Sequence, residues 1–145
     1  MSGMTLIVKK VTQMIGGLIF MYGLYIITHG HLTPGGGFAG GAILAGAMIL
    51  LILAFGSGVV NLRKEEAQTS ISESIALLII LLLALAGFLL ASKVFFNNYL
   101  PQGQIGELIS AGVIPLYNIF IGMEVAAALL TIFLGLVIYK EEIAS

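Results

Sequence analysis

The sequence predicts an all-α integral membrane protein with four transmembrane helices, from its composition, its long apolar runs and the placement of its charges. Of the 145 residues, 59% are hydrophobic and only 9% are charged, a balance far outside that of soluble domains. The mean hydropathy is +1.13. Four apolar runs are long enough for the roughly 20 residues that cross a bilayer as a helix.

The four helices are predicted, in chain order, near residues 11–28, 38–60, 74–92 and 118–139. They form one predicted membrane domain over residues 1–145, because the remaining pieces are too short to fold alone. The first run is longer than the apolar core of a signal peptide and no A-x-A-like site follows it, so we expect it to be retained.

Small residues at four-residue spacing, such as Gly37 with Gly41, edge the second helix. Such faces let helix backbones approach closely in lipid. We therefore expect other membrane subunits to pack on this face and on Ala126–Ala128 of the fourth helix.

Local signals predict how the third and fourth helices are connected. The spacing of Ser70-Ile71-Ser72-Glu73 is that of a capping box, which predicts the start of the third helix. Lys93 is expected to extend from the end of that helix to the membrane interface. Residues 104–115 mix apolar and polar side chains and predict a short interfacial helix ended by Pro115.

Positive side chains predict the orientation, because lysine and arginine near helix ends remain cytoplasmic. Lys93 falls on one side of the predicted membrane, and all other positive side chains fall on the opposite side: Lys9, Lys10, Arg63, Lys64 and Lys140. Both termini are therefore predicted to face the cytoplasm. A subunit inside a large complex can instead take its orientation from its neighbours, and this alternative stays open.

The segment from His29 to Gly41 places two histidines and six glycines between the first two helices. It contains a literal G-x-G-x-x-G, but that pattern binds dinucleotides only after a strand in a βαβ unit, which is not predicted here. The small residues are instead predicted to form a tight turn and close helix contacts: Pro34, Gly35, Gly36, Gly37, Gly40 and Gly41.

Three kinds of polar side chain are candidates for an ion or proton path. His29 and His31 can relay protons, although capping of the first helix is favoured over relay. Glu124 lies six residues, or about 9 Å, inside the predicted fourth helix, and a carboxylate at such depth marks an ion path by default. Its alternative is a protonated or paired packing residue. Asn118 is a further candidate to line a hydrated passage.

Several classes are excluded by the residue inventory. Without cysteine, thiolate zinc sites and cysteine-ligated iron–sulfur clusters cannot form, and two histidines are too few for a metal site. No nucleophile–base pair is evident, so we expect neither an enzyme nor a cofactor. The net charge of −1 provides no basic surface for nucleic acid. A self-contained four-span exporter is disfavoured because the first helix has no acidic residue.

These residues resemble the MnhB family, the B subunit of Mrp-type multisubunit Na⁺/H⁺ antiporters. The resemblance rests on His29-Gly30-His31, on the run from Pro34 to Gly41, and on the segment from Ser110 to Asn118. Antiporter members more often carry Phe-Asp where this chain has Tyr117-Asn118. The present version, with Glu124 six residues later, is closer to related subunits of membrane-bound hydrogenase-type respiratory complexes.

The resemblance implies a non-catalytic subunit of a complex that exchanges Na⁺ for H⁺ across the cell membrane. Its partners would be other membrane subunits and lipid, and a redox module, where present, would lie on other subunits. Two alternatives remain open: a subunit of a stand-alone Mrp-type antiporter, and a purely structural subunit without an ion path.

Overall fold

The computed structural model describes residues 4–56, 61–92, 94–104, 106–107 and 110–144. The helices of these residues are α1 (Leu6–Thr28), α2 (Gly36–Phe55), α3 (Leu62–Gly87) and α4 (Ile114–Ala144). A π-helical turn, Phe88–Ser92, continues α3. All four helices are long and apolar enough to cross a membrane, and no strand occurs within the described residues. The predicted fold class is confirmed.

The third helix begins at Leu62 rather than near residue 74. Asn61 is its N-cap, so the capping box predicted at Ser70–Glu73 is wrong. Those residues lie inside the helix, where the Ser72 hydroxyl donates a hydrogen bond to the Thr69 carbonyl. Residues 62–68 before them are leucine, arginine, lysine, glutamate, alanine and glutamine, all of which favour helix and extend the apolar span at its polar end.

The predicted interfacial helix is also wrong for the residues described there. Residues 102–104, 106–107 and 110–113 are not helical, and Pro115 lies in the first turn of α4. Proline suits that place because a first-turn residue needs no intrahelical N–H donor. The predicted end of the second helix near residue 60 and the predicted position of Lys93 lie outside the described residues.

The helices pack side by side in the order α1, α2, α4, α3. Met4 N donates to the Ala54 carbonyl at 2.9 Å, which brings the start of α1 beside the end of α2. We call this the terminal end of the molecule. The opposite end, where residues 29–35 meet the start of α4, is the loop end. Because α2 and α4 both begin at the loop end, they run parallel.

A small apolar cluster and a hydrogen bond between side chains join α3 to α4. Leu62, Leu130, Leu134 and Val137 form the cluster. The Thr131 hydroxyl donates to Thr69 Oγ1 at 2.8 Å. An exposed ion pair of Arg63 with Glu142 lies at the terminal end, and exposed pairs contribute only about 0–1 kcal/mol. Apolar packing therefore dominates this contact.

Much apolar surface remains uncovered. In the most apolar part of α3 only 17% of the residues are buried, and large side chains such as Leu81 and Leu89 are exposed. Soluble monomers rarely expose apolar patches of this extent. Lipid or other polypeptides must therefore cover these faces.

Candidate functional site

His29 closes the first helix. Its Nδ1 lies 3.2 Å from the Tyr25 carbonyl oxygen and 3.1 Å from the Thr28 hydroxyl. The imidazole also stacks on the Tyr25 ring with 4.2 Å between the ring centroids. These contacts are those of a C-terminal capping residue, and they favour the capping interpretation of His29.

His31 has a different environment. Its Nε2 lies 3.4 Å from the Glu107 carbonyl oxygen, which belongs to the connection before α4. Its Nδ1 is buried and has no hydrogen-bond partner among the described residues. A buried polar atom without a partner costs free energy, so such atoms commonly meet water or a ligand. Of the two histidines, only His31 has a buried ring nitrogen without a hydrogen-bond partner among the described residues.

The turn between α1 and α2 depends on glycine at two positions. Gly35 and Gly36 have φ angles of 145° and 75°, which side chains rarely tolerate. The turn also fits closely against α4. Asn118 Oδ1 accepts a hydrogen bond from the Gly37 amide at 3.4 Å, while Asn118 Nδ2 is buried without a partner in the described part of the chain.

The glycine face of α2 meets helices of the same chain. A Cβ on Gly37 would lie 2.5 Å from the Asn118 carbonyl oxygen, and one on Gly41 would lie 2.5 Å from that of Gly122. A Cβ on Gly40 would meet α1. The expectation that other subunits dock on these glycines is therefore wrong, because α1 and α4 already occupy the face.

A cavity of about 630 Å³ lies at the loop end, between the turn and the connection before α4. His31 and Tyr117 line it, and the Tyr117 hydroxyl is another buried atom without a described partner. Phe96 and Ala111 also line the cavity and have positive φ angles of 60° and 64°. Strained residues of this kind cluster at functional sites.

Sequence reasoning did not find this cavity. From the sequence, Tyr117 can line a hydrated passage or serve equally well as an interfacial aromatic residue. It lies far from His31 in the sequence, so no local spacing links the two. The segment from Ser110 to Asn118 carries part of the family resemblance, and this was the one sequence feature that pointed to the region around Tyr117.

Asn98 holds the connection in place beside this cavity. Its Oδ1 accepts hydrogen bonds from the Leu100 amide at 3.2 Å and from the Val113 amide at 3.1 Å. Asn98→Ala removes both hydrogen bonds and leaves the part-buried Val113 amide without a partner, so it is expected to destabilise the protein by about 1–3 kcal/mol. The expected result is a lower melting temperature of the purified protein. Gln102→Ala, at an exposed position on the same connection, is the control, and equal melting temperatures would contradict the prediction.

Glu124 lies deep in α4. It is ten residues, or about 15 Å, from the start of the helix at Ile114, near the middle of the Ile114–Lys140 span. The side chain is half-buried and has no hydrogen-bond or ion-pair partner within the described residues. Because Thr131 follows it by seven residues, Glu124 lies on the stripe of α4 that turns toward α3.

These polar groups, together with the fold, define a class of protein. The described residues contain no group of three or more histidine, cysteine or acidic side chains that could hold a metal. No hydrogen bond joins Glu124 to either histidine in that part of the chain. The molecule is a small multi-pass helical membrane protein with isolated polar side chains at membrane depth.

The chain belongs to the MnhB family. A family model described as a domain related to the MnhB subunit of Na⁺/H⁺ antiporter matches residues 7–131. That range includes the turn, the start of α4 and Glu124. The resemblance drawn from the sequence is therefore confirmed.

Known relatives agree with this assignment. Protein MJ1307 of Methanocaldococcus jannaschii is 36% identical over 88% of this chain and 50% of its own length. A protein of Staphylococcus aureus (strain Newman) named as antiporter subunit mnhB2 is 28% identical over 90% of this chain and 92% of its own. A chain in the structure of the membrane-bound sulfane sulfur reductase, an archaeal respiratory membrane complex, is 32% identical with a TM-score of 0.73. The match covers 89% of this chain and 56% of that one, so this chain spans about half the length of two of these relatives.

Proposed function

We propose that this protein is a non-catalytic membrane subunit of a multisubunit Na⁺/H⁺ antiporter-like module in a membrane-bound hydrogenase-type respiratory complex of the cell membrane. Family membership supports the antiporter-like module. The similarity to a chain of an archaeal respiratory membrane complex supports the respiratory host. Na⁺ and H⁺ are the proposed ions of the complex, and both termini are proposed to face the cytoplasm.

The observation that carries the proposal is the position of Glu124. A carboxylate near the middle of a membrane-spanning helix, without a partner in the described part of its own chain, is costly unless water, an ion or another subunit meets it. A module that moves Na⁺ and H⁺ provides all three. We therefore assign Glu124 to the ion path.

The other candidates take different roles in the proposal. His31 and Asn118 each carry a buried nitrogen without a described partner and lie at the loop end. They are proposed to contact the water that enters the path there. His29 is proposed to cap α1, as its contacts with Tyr25 and Thr28 favour. Pro34 and the glycines of the turn position these residues.

One observation favours a second candidate host. The relative named as antiporter subunit mnhB2 matches over 92% of its length, which is the pattern expected if this chain serves in a stand-alone Mrp-type antiporter. A purely structural role, without an ion path, is the remaining alternative for the subunit in either host.

The host is tested by purifying the tagged full-length protein from native membranes in mild detergent and identifying its companions by mass spectrometry. We expect membrane subunits of an antiporter-like module together with subunits that carry a redox centre. An antiporter set without a redox subunit would favour the stand-alone host. A chain that purifies alone and transports ions in liposomes would overturn the subunit proposal.

A further inference from the structure

A groove of about 530 Å³ runs over α2 and α4 between α1 and α3. Its floor on α4 includes Met123, Ala127 and Leu130, which recur at the spacing of one helix face. Leu24 lies on the α1 side and Thr69 on the α3 side. The groove is therefore bounded by helices on both sides and is open along its length.

The length of the groove suits three turns of a helix. Its lining on α4 extends from Ile119 to Leu130, which corresponds to about 16 Å, or three helical turns, along the membrane-spanning direction. Ala126 and Ala127 lie in the floor, and small residues let a second helix backbone approach closely. At membrane depth, a polypeptide that fills such a groove must be helical to pair its own backbone groups.

One wall of the groove carries an unmatched charge. Glu65 lines the groove and is half-buried, and no cationic side chain is among the lining residues. The neighbouring hydroxyls of Thr69 and Ser72 donate to backbone carbonyls of α3, so neither donates a hydrogen bond to the Glu65 carboxylate. Glu65 has no ion-pair or hydrogen-bond partner for its carboxylate in the described part of the chain.

We propose that the groove is the docking site for one transmembrane helix of another subunit, and that this helix places a lysine or arginine against Glu65. The inference rests on the proposed function in that it requires a complex. A lipid acyl chain can fill the apolar part of the groove but has no cationic group for the carboxylate, and a lipid with an amine headgroup is the competing occupant that cross-linking distinguishes below. A transmembrane helix with a lysine or arginine fills the apolar part of the groove and also pairs with the Glu65 carboxylate.

The charge is tested by Glu65→Lys in the tagged full-length protein within its complex. Like charges placed face to face are expected to lower the yield of co-purified subunits by about tenfold or more. Glu66→Lys is the matched control, because Glu66 is also half-buried and adjacent in the sequence but does not line the groove. Equal co-purification for the two variants, each with an unchanged helix content by circular dichroism, would overturn the proposal.

The molecule that fills the groove is identified by cross-linking from a photo-reactive side chain introduced at Met123 in the intact complex. We expect one cross-linked membrane subunit, joined through a transmembrane helix that carries a lysine or arginine. Lipid adducts alone, or a helix without a cationic residue, would overturn the proposal while leaving the subunit function intact. Failure of the wild-type protein to co-purify with any subunit would instead contradict the proposed function.

Discussion

Glu124→Gln is expected to lower Na⁺-dependent proton exchange in membrane vesicles by about tenfold or more, since a positioned proton-transfer side chain typically contributes at least that much. Glutamine keeps the shape and polarity of the side chain but can neither carry a negative charge nor exchange a proton as an acid. Because the carboxylate makes no hydrogen bond or ion pair with the described part of its own chain, folding of the subunit should be unaffected. The measurement is the exchange rate of the assembled complex at equal protein content.

Glu66→Gln is the matched control for this prediction. It makes the same change of charge at a half-buried position near the start of α3, away from the loop end, and its exchange rate is expected to stay close to that of the wild type. An unchanged rate for Glu124→Gln in a fully assembled complex would contradict the ion-path role. Glu124 would then be assigned to packing within a purely structural subunit.

Gly41→Leu is expected to prevent correct packing of α2 against α4. Even a Cβ at this position would lie 2.5 Å from the Gly122 carbonyl oxygen and 3.0 Å from Val125 Cβ, so the helix backbones themselves would have to separate. Overpacking a tight core costs about 1–3 kcal/mol, and more where backbone must move. The expected result is a marked loss of folded protein, measured as the monodisperse fraction after detergent extraction.

Gly46→Leu is the control on the same helix, because a Cβ at Gly46 meets nothing within 4 Å. Both variants add the same apolar side chain to a membrane-spanning helix, so a difference between them reports the close contact alone. Similar yields of folded protein from the two variants would rule out the role assigned to Gly41.

The sequence predicted the features that depend on local composition. Four apolar runs gave the four spans, since length and hydropathy decide whether a helix crosses a bilayer. The turn was predicted from its proline and glycines, and the positive φ angles at Gly35 and Gly36 agree with it. That Glu124 lies inside the fourth helix followed from its place within an apolar run, but its depth is about 15 Å rather than about 9 Å, because α4 begins at Ile114 and not near residue 118.

Features that depend on the order of the helices could not be predicted. The spacing of Gly37 and Gly41 indicated a close helix contact but not which helix makes it, and α4 of the same chain does. The groove beside Glu65 and the pairing of His31 with the connection before α4 arise from residues far apart in the sequence. The early start of α3 was missed because its polar first turns lack an apolar signal.

The order α1, α2, α4, α3 makes the molecule resemble a curved partition, with α1 and α3 on either side of the groove. A partition does not enclose a lumen, so any aqueous conduit along it needs a second polypeptide as its opposite wall. On the role proposed for Glu124, ions pass at a boundary between subunits, and their permeation is a property of the assembly. Loosening that boundary should then produce uncoupled ion leak across the membrane.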